Sequence, residues 1–139
     1  MLKVYLAGEI HTNWREEIID LCNKDKLDII YEDDIFYVIR DAYPVTKDHT
    51  LIILNNHNKS YFDLRHKDIL QLYDVIKFQK ETLMANDQSI TGFNIGINQG
   101  KDAGQTVMHL HIHLIPRRKG DVDDPRGGVR GVIPFKQKY

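Results

Sequence analysis

Between Gly104 and Pro116 the chain reads GQTVMHLHIHLIP, and His109, His111 and His113 alternate there with Leu110, Ile112 and Leu114. Alternation with period 2 describes a strand with one polar and one apolar face. Three imidazoles would then share a face while the leucines and isoleucine enter a core. Same-face neighbours on a strand lie about 6.6 Å apart, so one small ligand can touch two or three of the rings. Pro116, which lacks an N–H, is expected to end the ladder. One strand histidine is usually structural; packing does not explain three in register.

The remainder of the chain offers few competing chemistries. At 139 residues it suits a single domain with one core, and its formal net charge of -1 gives no bulk electrostatic reason to bind nucleic acid or an acidic membrane. Cys22 is the only cysteine, so neither an internal disulfide nor a thiolate zinc cluster can form within the chain. No apolar run reaches the roughly 18 to 20 residues needed to cross a bilayer, and the first residues lack the pattern of a signal peptide. The sequence therefore reads as cytoplasmic.

The element pattern begins with a β-prone run, Lys3 to Ala7. A short helix follows, with Asn13 as its cap, Glu16 completing a capping box, and Trp14, Ile18, Leu21 and Cys22 as its apolar side. Residues 1–28 are expected to form this β-α extension and residues 29–139 the main domain. Strands are expected at Ile29–Glu32, Ile35–Arg40 and Thr50–Leu54, with Asp33-Asp34 turning the first hairpin. Residues from about His66 to Ala85 have helical spacing, with Ile69, Leu72, Val75, Ile76 and Leu83 as the core stripe. Phe93–Asn98 reads as a strand, Gly100–Gly104 as a tight loop, and Val132–Phe135 as a short strand within a Gly-, Pro- and Asp-rich end.

Two chemistries use clustered strand imidazoles: zinc ligation and nucleophilic attack by a neutral ring nitrogen. No Cys, Asp or Glu lies among the three histidines. Gln105, Thr106 and a Gly-rich approach supply neutral donors and close backbone instead, which suits the non-bridging oxygens of a phosphate group. An unperturbed imidazole pKa of about 6.5 lets one ring be neutral and nucleophilic beside a cationic neighbour.

The stretch GQTVMHLHIHLIPRRKGD resembles the histidine-triad (HIT) motif. The resemblance extends upstream through Tyr31–Asp34, Arg40–Leu54, His57 and Gly92–Val107. It implies an α+β fold with an antiparallel sheet, here with one long and one short helix in a single domain, usually assembled as a homodimer. It also implies a nucleotidyl hydrolase or transferase working on the α-phosphate of a nucleotide conjugate. By that resemblance His111 is the nucleophile, giving a nucleotidyl-histidine intermediate that water hydrolyses. His113 contacts phosphate oxygens, His109 supports the hydrogen-bond network, and His49 stands behind them. Gln105 matches a position near the leaving group, and Thr106 and Asn98 match phosphate contacts. Asp41 corresponds to the group that grips ribose hydroxyls, and Ile35, Phe36 and Ile39 are the expected base pocket. His57, His66 and His11 are read as surface or structural.

Asp48 stands where the family usually has Gly before the upstream histidine, and the zinc-binding cysteine pair of some members is missing, so no structural metal is implied. No cofactor is obligatory, although Mg²⁺ can accompany a polyphosphate substrate. The Gln105-Thr106 pair and the Gly-Asp after the strand lean toward dinucleoside polyphosphate hydrolases, with Arg117, Arg118, Arg126 and Arg130 as candidate contacts to distal phosphates. A nucleoside phosphoramidate hydrolase is the alternative, and a non-catalytic nucleotide- or metal-binding module stands behind both. Separately, VYLAGEIHTNWREEIIDLC resembles the opening β-α unit of the YtoQ-like family.

Overall fold

The computed structural model describes residues 27–58 and 60–139. The expected strand at Lys3–Ala7, the short helix after Asn13 and the YtoQ-like resemblance lie outside the described residues. Five strands, β1 (Tyr31–Glu32), β2 (Phe36–Arg40), β3 (Thr50–Leu54), β4 (Ile90–Gly96) and β5 (His111–Arg118), form one sheet in the order β1-β2-β3-β5-β4. Every neighbouring pair is antiparallel. The long helix α1 (His66–Asn86) covers one face.

Asp33 starts the sheet as the sequence pattern requires. Its Oδ1 accepts the backbone N–H of Ile35 and of Phe36, both at 2.7 Å, and its own N–H reaches the Phe36 carbonyl. A short acidic side chain that bonds the backbone two and three residues on favours such a turn. Its Oδ2 takes hydrogen bonds from Gln71 on α1 and from Tyr31, which ties the hairpin to the helix. At the helix start, Asp68 accepts the Arg65 N–H at 3.0 Å, satisfying a donor that the helix itself leaves over.

Pleating sorts the apolar residues onto two faces. Phe36, Val38, Ile52, Leu54, Leu110 and Ile112 meet Leu72 and Val75 of α1. Tyr37, Ile39, Leu51, Ile53 and Val107 gather on the opposite face, with Leu27 and Ile29 packed against them. The register pairs Ile53 with His111 and Leu51 with His113. Directly paired residues share a face, so both histidines project on the side away from α1.

Two expectations are corrected here. Pro116 does not end the histidine strand: β5 runs on to Arg118, and Pro116 pairs with Phe93 of β4. Its carbonyl accepts the Thr46 hydroxyl at 2.7 Å, from the loop ahead of β3. The N and O of one strand residue point to the same side, and there β3 has already ended at the Thr50–Leu114 pair. The missing N–H therefore costs no ladder bond. The expected strand at Val132–Phe135 is replaced by a 3-10 turn over Gly128–Val132. Gly127 and Gly128 enter it with positive φ, and a Cβ at Gly127 would lie 1.8 Å from the Gln137 carbonyl oxygen.

Candidate active site

His111 and His113 stand on β5 with ring centroids 5.2 Å apart. His49 is delivered from the next strand over, one residue ahead of β3. Its Nε2 lies 2.9 Å from Nδ1 of His113. Asp41 follows directly on β2, donates its backbone N–H to the His49 carbonyl at 2.8 Å and accepts the Tyr43 N–H on Oδ1. Its Oδ2 lies 3.6 Å from His49 Nε2.

Burial holds these rings neutral. Desolvation lowers the pKa of His49 against the opposing pull of the Asp41 carboxylate. His111 is lowered mainly by burial too, while the His109 carbonyl and Asp41 act in the other direction. His113 is pushed down to about 4 by burial first, then by its neighbours His111 and His49. His109 is lowered for the same leading reason.

A neutral imidazole has one donor and one acceptor nitrogen, so the hydrogen bonds assign the protons. His111 Nδ1 lies 2.9 Å from the His109 carbonyl oxygen, which can only accept. Nδ1 thus carries the hydrogen, and Nε2 keeps its lone pair. His49 Nδ1 accepts the Val45 N–H at 3.2 Å, so His49 Nε2 is the donor to His113 Nδ1. That leaves His113 with its hydrogen on Nε2. This atom is buried and has no hydrogen-bond partner among the described residues, as is also true of Asp41 Oδ2. One lone pair and one N–H donor therefore stand on neighbouring rings, suited to attack on a phosphorus and to binding one of its oxygens.

The other site residues divide. His109 lies before β5, is fully buried, and donates from Nε2 to the Leu54 carbonyl at 2.6 Å. Gln105 is buried, with Oε1 accepting the Gly100 N–H at 2.9 Å. Thr106 is half-buried in the loop after it. Asn98 lines a cavity of about 520 Å³ together with His49 and His113. Of the expected base-pocket residues, only Ile39 belongs to the cluster on the histidine side; Phe36 and Ile35 pack toward α1. Leu27 and Ile29 join Ile39, a partnership that a four-residue apolar run could not reveal. His57, read from sequence as surface or structural, has its ring centroid 5.4 Å from that of His109.

The arginines offered for distal phosphates all have local partners. Arg117 bonds Asp121 and Asn94, Arg118 bonds Asp87 and the Lys47 carbonyl, Arg126 pairs with Asp124, and Arg130 bonds the Gln137 carbonyl. Among the described residues, Asp41, His49 and His113 are the group whose donor atoms lie close enough to hold a metal, within 4.8 Å of one another. A metal there would have to displace the hydrogen on His49 Nε2 and turn that ring's other nitrogen against the Val45 N–H.

The HIT domain model matches residues 23–120. An uncharacterized HIT-like protein of Chlamydia muridarum is 37% identical over 113 residues, covering 81% of this chain and 86% of its own. A zinc-bound histidine triad family protein from Mycobacterium smegmatis is 35% identical at a TM-score of 0.66, with 73% of this chain and 74% of that one covered. The Plasmodium falciparum diadenosine triphosphate hydrolase is 31% identical at a TM-score of 0.65, covering 72% and 67% respectively. With the HIT model spanning well over half its length, the sheet of those structures and the three histidines in place, this chain belongs to the HIT family.

Proposed function

We propose that the protein is a nucleotidyl hydrolase acting at the α-phosphate of a nucleotide conjugate. The observation that carries this reading is the bond from His111 Nδ1 to the His109 carbonyl, which leaves Nε2 as a neutral nucleophile inside a site next to a buried donor on His113. Nε2 attacks phosphorus and the bond to the leaving group breaks, the leaving group departing with its electron pair and taking up a proton. Water then attacks the same phosphorus, loses a proton, and breaks the phosphorus–nitrogen bond. Nucleoside monophosphate leaves and His111 is restored. Splitting the displacement in two replaces one difficult step by two easier ones, and the His113 N–H steadies the oxygens as charge develops.

Asp41 grips the ribose hydroxyls through Oδ2, Ile39 contributes to the apolar slot for the base, and Asn98, Thr106 and Gln105 flank the phosphate. A dinucleoside polyphosphate is the favoured substrate, supported by the Gln105-Thr106 pair and the similarity to a diadenosine triphosphate hydrolase. Local pairing of all four arginines favours the second reading, a nucleoside phosphoramidate, whose leaving group needs no cations. The chemistry uses no protein-bound metal, Mg²⁺ accompanying only a polyphosphate substrate. We place the protein in the cytoplasm as a homodimer. Among the described residues no helix is long and apolar enough to cross a membrane.

Turnover of diadenosine tetraphosphate and adenosine phosphoramidate, each with and without chelator, tests the reading. AMP release from the phosphoramidate untouched by chelator supports metal-free chemistry, and the faster substrate selects the leaving group. Absence of AMP from both rejects it.

A further inference from the structure

The turn that delivers His49 has an unusual corner. Thr46–His49 closes through the His49 N–H to the Thr46 carbonyl at 3.1 Å, and its third residue, Asp48, has φ of 68°. A turn with that residue in the left-handed region is best served by Gly or Asn. Each turn residue ahead of His49 is tied to the end of β5. The Thr46 hydroxyl reaches the Pro116 carbonyl, Arg118 Nη1 reaches the Lys47 carbonyl at 3.0 Å, and Arg118 Nη2 lies 3.6 Å from the Asp48 carboxylate. The same guanidinium is anchored on Asp87 at 2.9 Å, just past α1. One side chain thus spans the turn, the strand carrying His111 and His113, and the end of the helix.

We propose that Arg118 is a positioning residue for the histidine site, fixing the strained turn at Asp48 so that His49 meets His113 in register. Two carboxylates share this cation, so its removal leaves Asp48 and Asp87 near one another without it, Arg40 remaining as the charge beside Asp48 and Ser89 as the donor to Asp87. Like charges so placed repel, and the carboxylate that gives way is the one on the strained turn, at Asp48. His49 then withdraws from His113 Nδ1, and His113 loses the bond that sets its tautomer. Arginine suits the task because its planar fork holds Nη1 on the Lys47 carbonyl while Nε and Nη2 stay on Asp87, a fixed spacing that the compact ammonium of lysine does not reproduce. The effect on turnover rests on the proposed nucleotidyl function; the effect on the ring protons does not.

The test is the full chain carrying Arg118→Met, Arg118→Lys, or Asp48→Gly combined with Arg118→Met. Nitrogen-15 NMR of the histidine rings reports which nitrogens carry protons, and thermal melting confirms folding. Arg118→Met should mix the His113 tautomers and lower kcat/KM for the better nucleotide substrate about tenfold, within the roughly hundredfold that a remote misplacement of a reacting group can cost. Arg118→Lys should fall between it and the parent. Asp48→Gly removes both the strained side chain and the stranded carboxylate, so the double variant should recover the parent tautomer and come within about threefold of parent kcat/KM. A folded Arg118→Met protein with unchanged His113 signals overturns the proposal, as does a double variant no better than Arg118→Met. If the parent turns over no nucleotide, the ring signals alone still decide.

Discussion

His49 Nε2 lies 2.9 Å from His113 Nδ1, although 64 residues separate them in the chain. The contact arises because β3 and β5 are neighbours with Leu51 opposite His113. Its consequence is chemical, since a donor at His49 compels His113 to carry its own hydrogen on the far nitrogen.

Replacing His49 by Ala removes that constraint. The variant should lose about 10- to 100-fold in kcat/KM, the scale on which misplacing a reacting group is felt, with most of the loss in kcat. Steady-state kinetics on either nucleotide substrate checks it; a loss confined to KM would argue that His49 binds substrate instead.

The depressed histidine pKa values fix the direction of pH effects. The four rings His49, His109, His111 and His113 are lowered below 6.5 in the folded protein, so between that value and about 4 the unfolded chain binds more protons than the native one. The histidine contribution to stability should be level above pH 6.5 and fall as pH drops through this window. Activity should likewise be flat near neutrality, with the acid limb of kcat/KM below 6.5, where His111 Nε2 becomes protonated. Denaturant melts and a pH–rate profile test the two limbs; an acid limb above pH 7 contradicts the burial argument.

Asp41→Asn keeps the size of the side chain and removes its charge. If Oδ2 accepts ribose hydroxyls, KM should rise about tenfold with a ribonucleotide substrate, the loss of one charge-assisted hydrogen bond. Parent and variant should converge on a 2′,3′-dideoxy substrate. Equal defects on both substrates would assign Asp41 to the histidines alone.

Phe36 and Ile39 separate stability from binding. Phe36→Ala opens the α1-facing core and should cost about 3–5 kcal/mol of stability, with the KM of the surviving enzyme little changed. Ile39→Ala should raise the nucleotide KM. Melting curves and kinetics on the two variants give the comparison, and a raised KM for Phe36→Ala alone would reverse the assignment of faces.

Those two residues also mark what the sequence can and cannot disclose. From His109 to Leu114 polar and apolar residues alternate strictly, so the shared face of His111 and His113 is legible. In β2 the run Phe36, Tyr37, Val38, Ile39 is apolar throughout because both faces are covered, and nothing local tells the site side from the helix side. The stripe on α1 and the Asp33 turn are legible for the same reason as β5: local chemistry selects them. Pro116 misleads because its place in the ladder depends on where a non-local neighbour stops. The His49–His113 contact needed the register of two strands. The HIT resemblance placed His49 near the triad but did not supply its hydrogen-bond partner.

The most direct test of the central claim is to quench the reaction during turnover and map the modified residue by mass spectrometry. The mechanism predicts one nucleotidyl group on His111, chasing to nucleoside monophosphate, and His111→Ala that has lost turnover yet binds nucleotide within about tenfold of the parent. A nucleotidyl group on another residue, or substantial turnover by His111→Ala, would remove His111 as the nucleophile.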